Sequence, residues 1–230
     1  MEETERLKAR LANIRSVQPI LEALRTISIG GWRTALRQRD GLAQYRARLE
    51  PLWDALRPHL EARRVADVPD RPVPSRLALV VIGSERGLCG RFNAVLAEAV
   101  AGYLAAQAQA GRQVELWAAG SRVVRVMRRR AWPLAWSASL SVTALPSSTL
   151  AWDLTGRALG AYDAGRLDAL DMLYNAYRRP GVYAPTVRRL LPPALPAPAA
   201  EPPWPPPIVE TDPQGIFRRL VAEWLALALY

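Results

Sequence analysis

In 230 residues there is one cysteine, Cys89, and one histidine, His59. A single cysteine excludes an intrachain disulfide and fits a reducing compartment. With no CxxC partner and no histidine beside it in sequence, Cys89 reads as a small buried residue rather than a nucleophile. One histidine cannot build a typical zinc site. A Ser–His–Asp triad would have to draw on His59, which lies far in sequence from every serine that adjoins a glycine in the α/β part. Catalytic residues, cofactor-binding residues and metal ligands are therefore all expected to be absent. Aromatic residues are only 7% of the chain and arginine is scattered along it, which argues against a dedicated nucleic-acid reader. No apolar run approaches the ~20 residues of a spanning helix. The start, MEETERLKAR, is charged and lacks the apolar core of a secretory signal. The chain is expected to be soluble, or attached to a membrane only through partners.

What is present is positive charge, with a net +10, and enough apolar residue (50%) for one domain-sized core with length left for an appendage. Such a balance favours acidic partners: a protein surface, anionic headgroups or nucleic acid.

The organising stretch is SRLALVVIGSERGLCGRFN at 75–93. An apolar run enters a glycine-rich turn (Gly83, Gly87, Gly90), and the helical segment NAVLAEAVAGYLAAQ follows, as in the opening of a βαβ unit. The turn is not a Walker A loop, because Leu88 follows Gly87 and Arg91-Phe92 follow Gly90. It is not G-x-G-x-x-G either, since Glu85 stands where a glycine is needed. It reads as a tight structural turn, with an anion site between Arg86 and Arg91 at the helix start as the alternative.

Ahead of it, over residues 4–49, Leu7, Leu11, Ile14, Val17, Leu21, Leu24 and Ile27 recur three and four apart, and Trp32, Leu36, Leu42 and Leu49 extend the stripe more loosely. This is the seam of a coiled coil or bundle helix, on the order of 70 Å long at 1.5 Å per residue. Pro19, at about 3 kcal/mol, and Gly30 and Gly31, at about 1 kcal/mol each, oppose it. Pro51 is expected to end or kink the rod, with a short continuation to residue 64 and a linker at 65–74. Beyond the first strand and helix, the pattern predicts a strand over 113–120, a basic helix over 121–129, a third strand region within 132–145, a helix over 150–165 and a buried strand over 167–177. The run RVMRRR reads as a solvated helix end or a patch for acidic partners. Residues 194–211 read as a proline-rich connector. Asp212 and Pro213 cap a last helix whose apolar side holds Ile216, Leu220, Trp224, Leu225 and Leu227.

Five segments, in order, resemble one family. GSERGLCGRFN is similar to the T/S-D-R-G-L-C-G-G-F/L-N segment of the gamma subunit of F-type ATP synthases, with Glu85 for the usual Asp and Arg91 for the second glycine of the pair. YDAGRLDALDMLYNAY resembles the family's Y-D-x-G-x-L-D strand entry, and APTVRRLLPP its x-P-T-x-x-x-L-L-P stretch. LKARLANIRSVQPILEAL resembles the opening helix, with Lys8, Arg10, Gln18, Ile20 and Ala23 in register; VETDPQGIFRRLVAEWLALALY resembles the start of the second long helix. Departures are Leu24 for a Met, Pro19 for a Lys and Gly30-Gly31 for Ser/Ala-Lys.

The resemblance implies an α/β fold: a coiled-coil helix (1–64), a Rossmann-like α/β domain (75–193), the connector (194–211) and a shortened C-terminal helix (212–230). It implies a non-catalytic central shaft with no cofactor, coupling proton flow to ATP synthesis. Its partners would be the alpha, beta and epsilon subunits and the membrane c-ring, on the cytoplasmic side of a bacterial plasma membrane. The implied contact residues are Leu7, Leu11, Ile14, Gln18, Leu21 and Leu24 on the helix, Arg86, Gly87, Leu88, Cys89, Gly90 and Arg91 in the turn, and Arg125 and Arg128. Three other uses stay open: a truncated gamma-like paralogue serving only as an interaction or assembly module, an anion- or nucleotide-binding enzyme built on the turn, and a basic module for nucleic acid or anionic membrane.

Overall fold

In a computed structural model of the chain, residues 2–67, 74–141, 147–179, 181–194, 205 and 208–230 are described. Helix α1 spans Glu2–Asp67. Neither Pro19 nor the Gly30-Gly31 pair interrupts it. Pro51, expected to end or kink the rod, does not end it, and the stretch read as a linker is helical as far as Asp67. The physical reason at Pro51 is burial. The missing N–H and ring clash cost about 3 kcal/mol, but Leu49, Trp53 and Leu56, on either side of the proline, are all buried in the core. Each contributes roughly 1.5–3 kcal/mol.

The chain divides into two compact units, Met1–Tyr45 and Arg46–Tyr230. In the first, described by itself, the helix leaves most of its apolar stripe wet: Leu7 is 62% exposed and Ile14 61%, and Leu11, Val17, Leu21, Ile27 and Trp32 are exposed as well.

The second unit is built on a five-stranded sheet in the order β3-β2-β1-β4-β5. Strand β1 (Arg76–Ile82) pairs in parallel with β2 (Gln113–Ala119) on one side and β4 (Ala169–Arg179) on the other, and β3 (Leu134–Ala138) adds in parallel to β2. Strand β5 (Val182–Leu191) closes the other margin antiparallel to β4. The pattern did not predict β5 as a strand, because Pro185 and the arginine pair at 188–189 break its apolar run.

The unbroken apolar run of β1 is what a parallel strand covered on both faces requires. Its residues alternate between two cores. Ala78 and Val80 join Trp117, Met172, the buried residues of α4 (Ser148–Asp163) and α5 (Pro213–Leu229), and Leu49, Trp53 and Leu56 of α1. Leu79 and Val81 join Leu116, Ala118 and Leu173 under α2 (Phe92–Gln109) and α3 (Ser121–Arg129). Asp212 caps α5 as its sequence predicts, its carboxylate accepting from the backbone N–H of Gly215 at 2.9 Å and of Gln214 at 3.3 Å, with Pro213 at the first helical position. The proline-rich stretch at 195–204 and 206–207, residues 68–73 of the expected linker and 142–146 of the expected third-strand region lie outside the described residues.

Candidate functional site

The carboxyl ends of β1 and β2 are where an open parallel sheet ordinarily receives a ligand. Here the loop between β1 and α2 closes on itself. Gly83 approaches α3 so closely that a Cβ would lie 2.3 Å from the Cβ of Val123, and Gly120, at φ +108°, faces the Gly83 carbonyl. Ser84 and Asn93 clasp each other: the Ser84 N–H donates to Asn93 Oδ1 at 3.0 Å, and Asn93 Nδ2 donates to Ser84 Oγ at 2.7 Å. Cys89 sits inside this clasp, its Sγ 3.4 Å from Ser84 Oγ and 3.5 Å from Asn93 Nδ2.

Glu85 completes the knot. Its carboxylate accepts from the Ser121 N–H at 2.9 Å, the Ser121 hydroxyl at 2.5 Å and the Leu140 N–H at 2.8 Å. The Ser121 hydroxyl, then the Leu140 and Ser121 backbone bonds, hold its pKa below the ordinary carboxylate value. Ser121 is the first residue of α3, so the positive end of that helix dipole is occupied by a carboxylate from the protein itself. A bound phosphate would have to displace it.

What the knot presents outward is basic and apolar. Leu88 is held in the left-handed region (φ +61°) and is 87% exposed; Arg86 and Arg91 are exposed on either side of it, Arg91 paired with Glu98 at 3.0 Å. Gly87 is half-buried and Gly90 exposed at φ +56°. Arg125 and Arg128 line an open cavity that they share with Ser121, Arg129, Ser137 and Ser139. Leu7, Leu11, Ile14, Gln18, Leu21 and Leu24 lie on α1 in the other compact unit. Leu24 is half-buried and the rest exposed, with Gln18 bonded to Glu22 at 2.9 Å. Among the described residues no group of His, Cys, Asp and Glu could hold a metal ion, and no helix is long and apolar enough to cross a membrane.

Sequence reasoning missed a buried charge cluster. Asp171 of β4 is 4% exposed and is gripped by Arg189 of β5 and by the Tyr103 hydroxyl of α2 at 2.6 Å. Burial, then the hydrogen bond to Asp171, pushes the Tyr103 phenol far up, while the same carboxylate raises Arg189. The signal was present: an Asp inside the run ALDMLY needs a cation wherever that strand is buried on both faces.

The ATP synthase family model matches residues 3–230. The chain belongs to that family. Among curated relatives, the "ATP synthase gamma chain" of Synechococcus sp. (strain JA-2-3B'a(2-13)) is 25% identical over 84% of this chain and 61% of its own length. That of Chlorobium luteolum is 28% identical over 95% of this chain and 76% of its own length. The chain thus spans about three fifths of the length of the Synechococcus gamma chains it matches. The fold is that of a chain from the Tetrahymena thermophila mitochondrial ATP synthase central stalk and c-ring structure: TM-score 0.53 at 16% identity, over 86% of this chain and 87% of that one. As in that ATP synthase fold, a long N-terminal helix accompanies a mostly parallel five-stranded sheet.

Proposed function

We propose that the chain is the non-catalytic central-stalk (gamma-type) subunit of an F-type ATP synthase, coupling proton flow through a membrane ring to ATP synthesis in an alpha–beta hexamer. Its partners are the alpha, beta and epsilon subunits and the c-ring, and its place is peripheral, on the cytoplasmic side of a bacterial plasma membrane. The observation that carries the reading is the stripe Leu7–Leu11–Ile14–Leu21, four large apolar side chains exposed on one helix of a unit with no other element to cover them. Each forfeits about 1.5–3 kcal/mol while wet, so a second helix or the inner wall of a ring is the fitting cover. The turn from Arg86 to Arg91 and the α3 arginines Arg125 and Arg128 supply basic surface for epsilon, the ring or acidic loops of beta. A shaft couples sites by offering each a different contact as it turns, which needs surface and stiffness but no active site.

Co-expression with alpha and beta subunits tests this. A tagged chain should purify with both, and the complex should hydrolyse ATP in a manner that requires it. An isolated chain that stays monomeric, fails to join alpha and beta, and protects residues 7–24 from proteolysis would overturn the reading.

A further inference from the structure

Among the described residues the sheet order leaves two unpaired margins, β3 and β5. Strand β5 carries Pro185 within it, which has no N–H to offer and blunts that edge. Strand β3 has no proline, and its Ala135 and Ser137 are exposed. Beside its carboxyl end, against α3, lies an open cavity of about 530 Å³ lined by Arg125, Arg128 and Arg129 on one wall and Ser137 and Ser139 on the other. None of the three arginines makes an ion pair among the described residues. Residues 142–146, VTALP, which follow β3, contain no acid to neutralise them. Glu85, at the amino end of α3, is held by the Ser121 and Leu140 donors and forms no ion pair with any of the three arginines.

The spacing fits a strand. Arg125 and the pair Arg128/Arg129 stand three and four positions apart on one helix face, roughly 4.5–6 Å along the axis. Side chains on one face of a strand recur every ~6.6 Å. A strand added to β3 would present every second side chain toward the α3 side of the sheet. Carboxylates at those positions would meet the arginines, while backbone groups pair with the free edge.

We propose that β3 is a docking edge for an acidic extended segment of a partner protein, which adds as a sixth strand with alternate Asp or Glu side chains paired to Arg125, Arg128 and Arg129. The inference rests on the reading that the basic surface of this unit meets acidic partners, and it specifies how.

The test is fluorescence anisotropy on the full chain with a capped peptide of alternating Glu and Thr, about nine residues long. The expected result is saturable, salt-sensitive binding. It should weaken at least about tenfold when alternate peptide amides are N-methylated, and again in the double variant Arg125→Glu, Arg128→Glu. The control Arg15→Glu, in the other compact unit, should bind as the parent does. Both sites are exposed, and circular dichroism verifies that the variants fold. Absence of saturable binding, indifference to N-methylation, or equal binding of a single-stranded oligonucleotide or anionic vesicle would overturn the proposal. Assembly with alpha and beta is measured separately, so a stable complex without peptide binding defeats the docking edge alone. Peptide binding without a complex defeats the stalk reading alone.

Discussion

Replacing Glu85 separates charge from hydrogen bonding in the knot that shapes the β1–α2 turn. One carboxylate oxygen accepts from two backbone N–H groups, Ser121 at 2.9 Å and Leu140 at 2.8 Å, and the other accepts from the Ser121 hydroxyl at 2.5 Å. In Glu85→Gln the amide oxygen can keep both N–H donors. The amide nitrogen then faces a hydroxyl, which can rotate to accept. All three contacts survive and only the charge is lost. A charge-assisted bond is worth about twice a neutral one, and the side chain is half-exposed, so the expected cost is about 1 kcal/mol. Glu85→Ala strands two backbone donors that only water can reach, for about 2–3 kcal/mol. The sign of the pH effect follows from the lowered pKa. The carboxylate's contribution is complete above the unfolded-state value of an ordinary glutamate and fades as pH falls through the folded one. Urea denaturation of the three proteins at neutral pH and across the acid range measures this. The gap between parent and Glu85→Gln should close on acidification, while that between Glu85→Gln and Glu85→Ala should persist. Equal losses in both variants, or a gap that widens in acid, would refute the account.

Three further outcomes are expected. Trp53 is 3% exposed and meets Phe217 and Trp224 edge-on at 5.6 and 5.8 Å, but its indole N–H has no acceptor among the described residues. Trp53→Ala should therefore cost about 3–4 kcal/mol in chemical denaturation, and Trp53→Phe clearly less. Asp171→Asn should cost about 2–3 kcal/mol by the same assay, because it leaves Arg189 facing a neutral amide; the cost falls short of a fully buried pair's because Arg189 is partly exposed. Ile14→Glu should shift stability by no more than about 0.5 kcal/mol, since the side chain is already wet. It should nonetheless abolish co-purification with alpha and beta subunits.

The legible parts of the fold were those in which short-range chemistry and tertiary demand agree. The apolar run of β1 is hydrophobic at every position because both of its faces are covered. Asp212-Pro213 announces the start of α5 by itself, since a cap needs only its own neighbours. Pro51 and β5 were illegible for the opposite reason. At Pro51 the local cost is real, and only the burial of Trp53 and Leu56 against α5, more than 160 positions away, offsets it. In β5 the local pattern is broken by Pro185 and Arg188-Arg189; the strand exists because β4 offers a margin to pair with and Asp171 offers Arg189 a partner.

The candidate site divides along the same line. Sequence excluded the phosphate-loop signatures and read the arginine run at 125–130 as a solvated helix end, because composition and spacing decide such things residue by residue. It could not assign Glu85 its partners, join Arg125 and Arg128 to Ser137 and Ser139 across a cavity, or pair Tyr103 with Asp171. Those associations link residues 9 to 68 positions apart. Sheet order, and nothing nearer in the chain, brings them within reach of one another.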